Sequence, residues 1–187
     1  MGKRPAVFLD RDGVLTVPEF RDGRSYAPKR LEDFRCYPEA AACLGRLRDA
    51  GHVLVVVTNQ PDVGNGLVPM AVVEAMHERL ARELPIARIE VCPHRSADAC
   101  ECRKPRPGML LRAADALGLE LTRSFMVGDR ASDVEAGRRA GCRTLFLDRG
   151  YTEPRPASPD ATVASLSEAT EWILAAAERP SKGRPFP

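Results

Sequence analysis

Asp10-Arg11-Asp12-Gly13 places two acids two residues apart, followed by a glycine that permits a tight turn. Like charges that close raise each other's pKa unless a cation or hydrogen bonds compensate. A hard cation such as Mg²⁺ takes oxygen ligands and would stabilise the pair. The same residues also read as an ordinary Asp-Gly turn capping a loop, so alone they leave both readings open. Asp129-Arg130-Ala131-Ser132-Asp133 repeats the close spacing of acids. Ser132 and Asp133 suit a helix start, as cap and dipole partner, which accounts for Asp133 better than for Asp129. A third group is Cys92-Pro93-His94, then five residues, then Cys100-Glu101-Cys102. Three thiolates and an imidazole suit tetrahedral Zn²⁺, and four protein ligands leave no open position, so such a site is structural. In a regular strand the members of each pair sit too far apart, so both pairs are expected in turns. The competing reading is a set of free buried thiols. Cys36, Cys43 and Cys142 read as small apolar residues, and His52 and His77 as packing or surface histidines.

These residues need a scaffold that gathers them. Residues 6–10 read as a buried strand ending on Asp10, and 53–57 as an apolar, largely β-branched strand of the kind found inside parallel sheets. Further strands are expected at 88–91, 124–127, 143–147 and 162–163. Helical spacing marks 38–50, 69–84, 108–117, 132–140 and 167–178, several closed by a glycine. Residues 154–159 form a proline-rich connector, and 180–187 are expected to be a disordered tail. Strands alternating with helices imply an α/β fold, a Rossmann-like, doubly wound and mostly parallel sheet with helices on both faces. Ligands bind such sheets beyond the carboxyl ends of the strands. Asp10, Asp12, Thr58, Asn59 and Asp129 fall at those ends, with Lys104 in a loop after another strand. Acids, a hydroxyl and a lysine on one rim suit a metal ion and a phosphate.

Composition narrows the partners. The chain has 187 residues, which suits one domain over 1–179. Its formal net charge of +2 and its ten aromatic residues argue against a nucleic-acid-binding surface. Apolar runs such as 53–57 and 172–177 are far shorter than the roughly 20 residues a membrane helix needs. Asp10 arrives before an apolar signal region could form, so a cytoplasmic protein is expected; a monomer is expected as well.

Four motifs in order resemble the haloacid dehalogenase superfamily over residues 6 to about 150: Asp10-Arg11-Asp12-Gly13-Val14, Val57-Thr58-Asn59-Gln60, Lys104, and Val127 to Asp133. The resemblance implies that Asp10 is a nucleophile forming an aspartyl-phosphate. Asp12 is then proton donor to the leaving alcohol and afterwards base for water. Mg²⁺ would be bound by Asp10, the backbone carbonyl of Asp12 and Asp129, with Asp133 orienting the metal surroundings. Thr58, the Asn59 amide and Lys104 would hold the phosphoryl oxygens. The second acid favours phosphate chemistry over dehalogenation, because a halide leaves without a proton.

The Cys-His loop over 92–102, followed at once by Arg103-Lys104-Pro105, is similar to the branch containing heptose-bisphosphate and histidinol-phosphate phosphatases. There the zinc loop stiffens the segment carrying the lysine, and Arg103 would contact substrate; Arg106 has no role assigned. The intervals between Asp12 and Thr58 and between Gln60 and Arg103 are too short for a separate cap domain. An open site follows, bordered by a loop over 15–31 whose Arg21, Arg24, Tyr26, Lys29 and Arg30 either reach substrate or stay solvated. The resemblance points to D-glycero-D-manno-heptose 1,7-bisphosphate, with histidinol phosphate and other sugar phosphates as alternatives. A polynucleotide 3′-phosphatase and a phosphoaccepting receiver module are more distant ones. Two positions depart from the branch: Asp62 stands where glycine is usual and Asn65 where arginine is.

Overall fold

The computed structural model describes residues 2–177, so the tail expected at 180–187 and the last position of the expected final helix lie outside the described residues. In chain order the strands are β1 (Ala6–Leu9), β2 (Glu19–Arg21), β3 (Arg24–Tyr26), β4 (Val53–Asn59), β5 (Arg88–Cys92), β6 (Phe125–Gly128), β7 (Arg143–Leu147) and β8 (Ala161–Val163). The helices are α1 (Ala40–Asp49), α2 (Pro61–Gly64), α3 (Met70–Glu83), α4 (Gly108–Leu117), α5 (Ala131–Arg139) and α6 (Leu166–Ala177).

Six strands form one parallel sheet in the order β5-β4-β1-β6-β7-β8. Successive side chains of a strand point to opposite faces, and the apolar runs divide accordingly. Val7 and Leu9 of β1, Leu54 and Val56 of β4, and Phe125 and Val127 of β6 pack with the buried faces of α1, α3 and α6. Ala6, Phe8, Val53, Val55, Val57 and Met126 pack with α4 and α5 on the other side. With both faces covered there is no place for alternating polar residues, which is why these strands read as continuous apolar runs.

The topology decides where a ligand can sit. From β1 the chain proceeds to β4 on one side, whereas from β6 it proceeds to β7 on the other. The crevice between the carboxyl ends of β1 and β6 is therefore the switch point of the sheet. Leu9 pairs with both Val56 and Val127, so Asp10, Val57 and Gly128 lie at one level along the sheet. No large cap interrupts this edge among the described residues. Among the described residues no helix is long and apolar enough to cross a membrane.

Three local expectations need correction. The loop expected over 15–31 contains the antiparallel β2–β3 hairpin, turned at Asp22 (φ 51°) and Gly23 (φ 76°). Two consecutive positive φ angles are what a two-residue hairpin turn with the right twist requires. Thr58 and Asn59 belong to β4 itself, and the short helix α2 follows at once. Cys92 closes β5 rather than lying in a turn, and its partner His94 lies in irregular backbone just after the strand.

Candidate active site and metal-ligand clusters

At the switch point, three acids and a lysine are buried together. The Lys104 Nζ donates to Asp10 Oδ1 at 2.8 Å and to the Val57 carbonyl at 2.6 Å, and lies 2.7 Å from Asp133 Oδ1. An ammonium has three protons, so these acceptors satisfy it fully. Burial pulls the Lys104 pKa down, but Asp10 and Asp133 outweigh that and hold it above its ordinary value. Burial lifts Asp10 from 3.8 to about 6, with Lys104 opposing and Asp133 and Asp12 adding to the rise. Asp129 is pushed well above the usual carboxylate range, first by burial and then by Asp10 and Asp133.

Asp129 differs from its neighbours in one respect. Both of its carboxylate oxygens are buried and neither is in a hydrogen bond of proper geometry, nor is the nearby Tyr151 hydroxyl. An unpaired buried carboxylate is costly, and buried charges are found paired or on metals. Oxygens of Asp10, Asp129 and Asp133 lie within 4.8 Å of one another. This hard-oxygen donor set fits a divalent cation such as Mg²⁺. The backbone is shaped around it: a Cβ on Gly13 (φ +89°) would sit 1.9 Å from Asp129 Oδ2. Asp133 has a second task, because its Oδ2 accepts the Arg130 backbone N–H at 3.0 Å and so caps α5.

Asp12 is held differently. Its oxygens accept hydrogen bonds from Arg11, from Thr16 Oγ1 at 3.1 Å and from Gln60 Nε2 at 2.8 Å. Gln60 also donates to Thr58 Oγ1 at 2.9 Å, which leaves the threonine proton for a ligand. The Asn59 side chain clamps the lysine segment, donating to the Lys104 carbonyl and accepting the Lys104 N–H, both at 3.1 Å.

Above these groups lies an open cavity of about 230 Å³. Asp10, Asp12, Thr58 and Lys104 line its floor, and Arg103, Arg130 and the end of β3 line its walls. Sequence reasoning gave Arg130 no role. It faces the cavity while its Nη2 donates to the Ser25 carbonyl (2.7 Å) and hydroxyl (2.9 Å), latching the hairpin to the rim. The Asp22-Gly23 dipeptide was the one sequence signal for that hairpin. Of the five residues suggested in the 15–31 segment, only Tyr26 lines this cavity.

The Cys-His group is brought together as expected. Cys92 Sγ is 3.6 Å from Cys100 Sγ and 3.6 Å from His94 Nδ1. Cys102 Sγ is 3.5 Å from Cys100 Sγ and 3.2 Å from His94 Nδ1. Bond lengths near 2.3 Å for Zn–S and 2.0 Å for Zn–N put tetrahedral S···S edges at about 3.8 Å and S···N edges at about 3.5 Å. The four atoms thus already outline a cage of the right size. Arg106, without a role from sequence, donates to the carbonyls of Ala99 (2.6 Å) and Cys100 (2.9 Å) and braces the loop. The Gly64 N–H donates to the Pro93 carbonyl at 2.8 Å, tying α2 to the same loop. Cys36, Cys43 and Cys142 are free and apart from this group. His52 is a packing residue, edge-on to Phe125. His77 is not, since it meets Arg11.

A HAD-hydrolase-like family model matches residues 101–169. The D-glycero-β-D-manno-heptose-1,7-bisphosphate 7-phosphatase of Pseudomonas aeruginosa is 37% identical over 153 residues, covering 79% of this chain and 83% of that protein. The chain is a HAD-family phosphatase. The Rhodopseudomonas palustris protein of the same name is 40% identical to this phosphatase over 151 residues, covering 74% and 81% of the two chains. Among solved structures, a D,D-heptose 1,7-bisphosphate phosphatase from B. bronchiseptica, complexed with magnesium and phosphate, superposes with a TM-score of 0.78 at 28% identity. That match covers 92% of this phosphatase and 99% of its neighbour. HAD phosphatases are phosphoric monoester hydrolases.

Proposed function

We propose that this phosphatase removes the 7-phosphate of D-glycero-D-manno-heptose 1,7-bisphosphate through an aspartyl-phosphate on Asp10. The observation that carries the chemistry is the buried Asp10 carboxylate at the cavity floor, gripped through one oxygen by Lys104. Its other oxygen is left for attack on phosphorus. The substrate is supported by the names of the relatives and by a cavity open enough for a sugar phosphate.

Asp10 attacks the phosphoryl group while the bond to the leaving oxygen breaks, and Asp12 gives that oxygen its proton. The Asp12 carboxylate then takes a proton from the water that hydrolyses the aspartyl-phosphate. Thr58 and the Asn59 amide offer donors to the phosphoryl oxygens, and the Lys104 ammonium adds its positive charge beside them, which is the electrostatic part of the catalysis. Asp133 keeps the Lys104 ammonium in place. Arg103 and Arg130 on the walls face the rest of the substrate. Mg²⁺, held by Asp10, Asp129 and the Asp12 carbonyl, supplies charge neutralisation between carboxylates and phosphate. Zn²⁺ in the Cys92, His94, Cys100 and Cys102 cage has a structural role, stiffening the segment that leads into Lys104.

One observation favours a second reading. The Asp62 side chain lines the cavity and makes no hydrogen bond or ion pair among the described residues. A free carboxylate there suits an ester bearing an ammonium group, such as histidinol phosphate. Phosphate release in Mg²⁺ from both heptose bisphosphate anomers, histidinol phosphate and a 3′-phosphorylated oligonucleotide separates these. The highest kcat/KM is expected for a heptose bisphosphate. Preference for histidinol phosphate would give the second reading, and preference for the oligonucleotide would overturn both.

A further inference from the structure

The turn after β1 buries a cation that the proposed chemistry leaves unused. Arg11 lies between the two acids in sequence and is 0% exposed, the largest fully buried side chain of the fold. Its guanidinium meets Asp12 through Nε, at 3.2 and 3.1 Å from the two oxygens, and through Nη2 at 2.9 Å. Its remaining arm, Nη1, is 3.1 Å from His77 Nε2, and the Phe34 ring lies 5.4 Å from its central carbon. His77 stands on α3, one turn after Val73 and next to Met76, both buried.

Arginine has donors and no acceptor, so His77 must present a lone pair at Nε2 and carry its proton on Nδ1. Burial, then the Arg11 charge, hold His77 down at about 4, in keeping with a neutral ring. A guanidinium is planar and rigid, so fixing Nη1 also fixes the direction in which Nε and Nη2 point. Neither Arg11 nor His77 lines the cavity. Whatever they do for turnover, they do through Asp12.

We propose that Arg11 and His77 are positioning residues: the histidine anchors the buried guanidinium, and the guanidinium aims the Asp12 carboxyl at the leaving group. This rests on the reading of Asp12 as proton donor.

The distinguishing test is dependence on the leaving group. When phosphorus passes to Asp10, an alkoxide must be protonated by Asp12 as its bond to phosphorus breaks. A nitrophenolate departs without that proton. The full-length, Mg²⁺-loaded enzyme is assayed by kcat/KM, which reports steps up to the first irreversible one, on a sugar phosphate and on p-nitrophenyl phosphate. His77→Leu, which lacks the acceptor, is expected to lose about tenfold to 100-fold on the sugar ester and no more than about threefold on the aryl ester, given that a misplacement of about 1 Å costs roughly 10²-fold. His77→Gln, which keeps an acceptor, should restore most of the loss. Arg11→Lys, which keeps the charge but loses the fork, provides the same comparison should His77→Leu fail to fold. Asp12→Asn is the reference and should show the strongest selectivity for the aryl ester. Equal loss on both esters, or no loss, while Asp12→Asn stays selective would overturn the Arg11–His77 role alone. An unselective Asp12→Asn would overturn the proton-donor reading and the proposal with it.

Discussion

Replacing Asp129 by Asn should stabilise the metal-free protein while removing its response to Mg²⁺. An acid whose pKa is higher in the folded chain than in the unfolded one binds its proton more tightly in the fold. Folding carries no penalty from that acid below the unfolded value, and an increasing one as pH rises towards the folded value. For Asp10 the window runs from 3.8 to about 6, and two pKa units correspond to about 3 kcal/mol at higher pH. Asp129 is raised in the same direction, with both oxygens unpaired. Leaving a buried charge uncompensated costs on the order of 3 kcal/mol, or about 6–12 °C in Tm for a chain of this size. The asparagine cannot ionise, and its amide faces the Asp10 carboxylate as a donor rather than a like charge. Thermal unfolding in EDTA should therefore show Asp129→Asn above the parent by about that interval at pH 8, with the gap closing towards pH 4. Mg²⁺ at about 100 times its Kd should raise the parent by about 2.7 kcal/mol and leave the variant unmoved. A variant less stable than the parent in EDTA at pH 8, or an equal Mg²⁺ shift in both, would refute the argument that Asp129 is held for a cation.

Two further perturbations probe the supports of Lys104 and its loop. Asn59→Ala removes both hydrogen bonds that clamp the Lys104 backbone; a shift of about 1 Å should lower kcat/KM by roughly 10²-fold with little change in Tm, and undiminished activity would contradict the clamp. Cys100→Ser should lose one equivalent of Zn²⁺ by elemental analysis and several degrees of Tm, whereas unchanged zinc content would mean the Cys-His cage is not a metal site.

The sheet was legible because its strands are buried on both faces and so appear as short apolar runs, such as 53–57, that end on chemistry-bearing residues. Asp10, Thr58, Lys104 and Asp129 converge as expected, since a parallel sheet sends every strand's carboxyl end to one edge. The gathering of Cys92, His94, Cys100 and Cys102 was legible because soft ligands at such close spacing suit a single cluster. The hairpin was not, because Glu19–Arg21 and Arg24–Tyr26 are three-residue, largely polar strands on the surface. Arg11 looked like a spacer between two acids, and its contact with His77 spans 66 positions that no local pattern connects. Arg106 and Arg130 were similarly obscure, since an arginine bonding backbone carbonyls has no sequence signature distinct from a solvated one.

The central claim is that Asp10 takes the phosphoryl group. Acid-quenched enzyme sampled during turnover of a sugar phosphate in Mg²⁺, followed by peptide mass spectrometry, tests it directly. A phosphoryl group on Asp10, absent in an inactive but folded Asp10→Asn variant, is the predicted result. An Asp10→Asn variant that still turns over substrate, or phosphate found on a different residue, would contradict it.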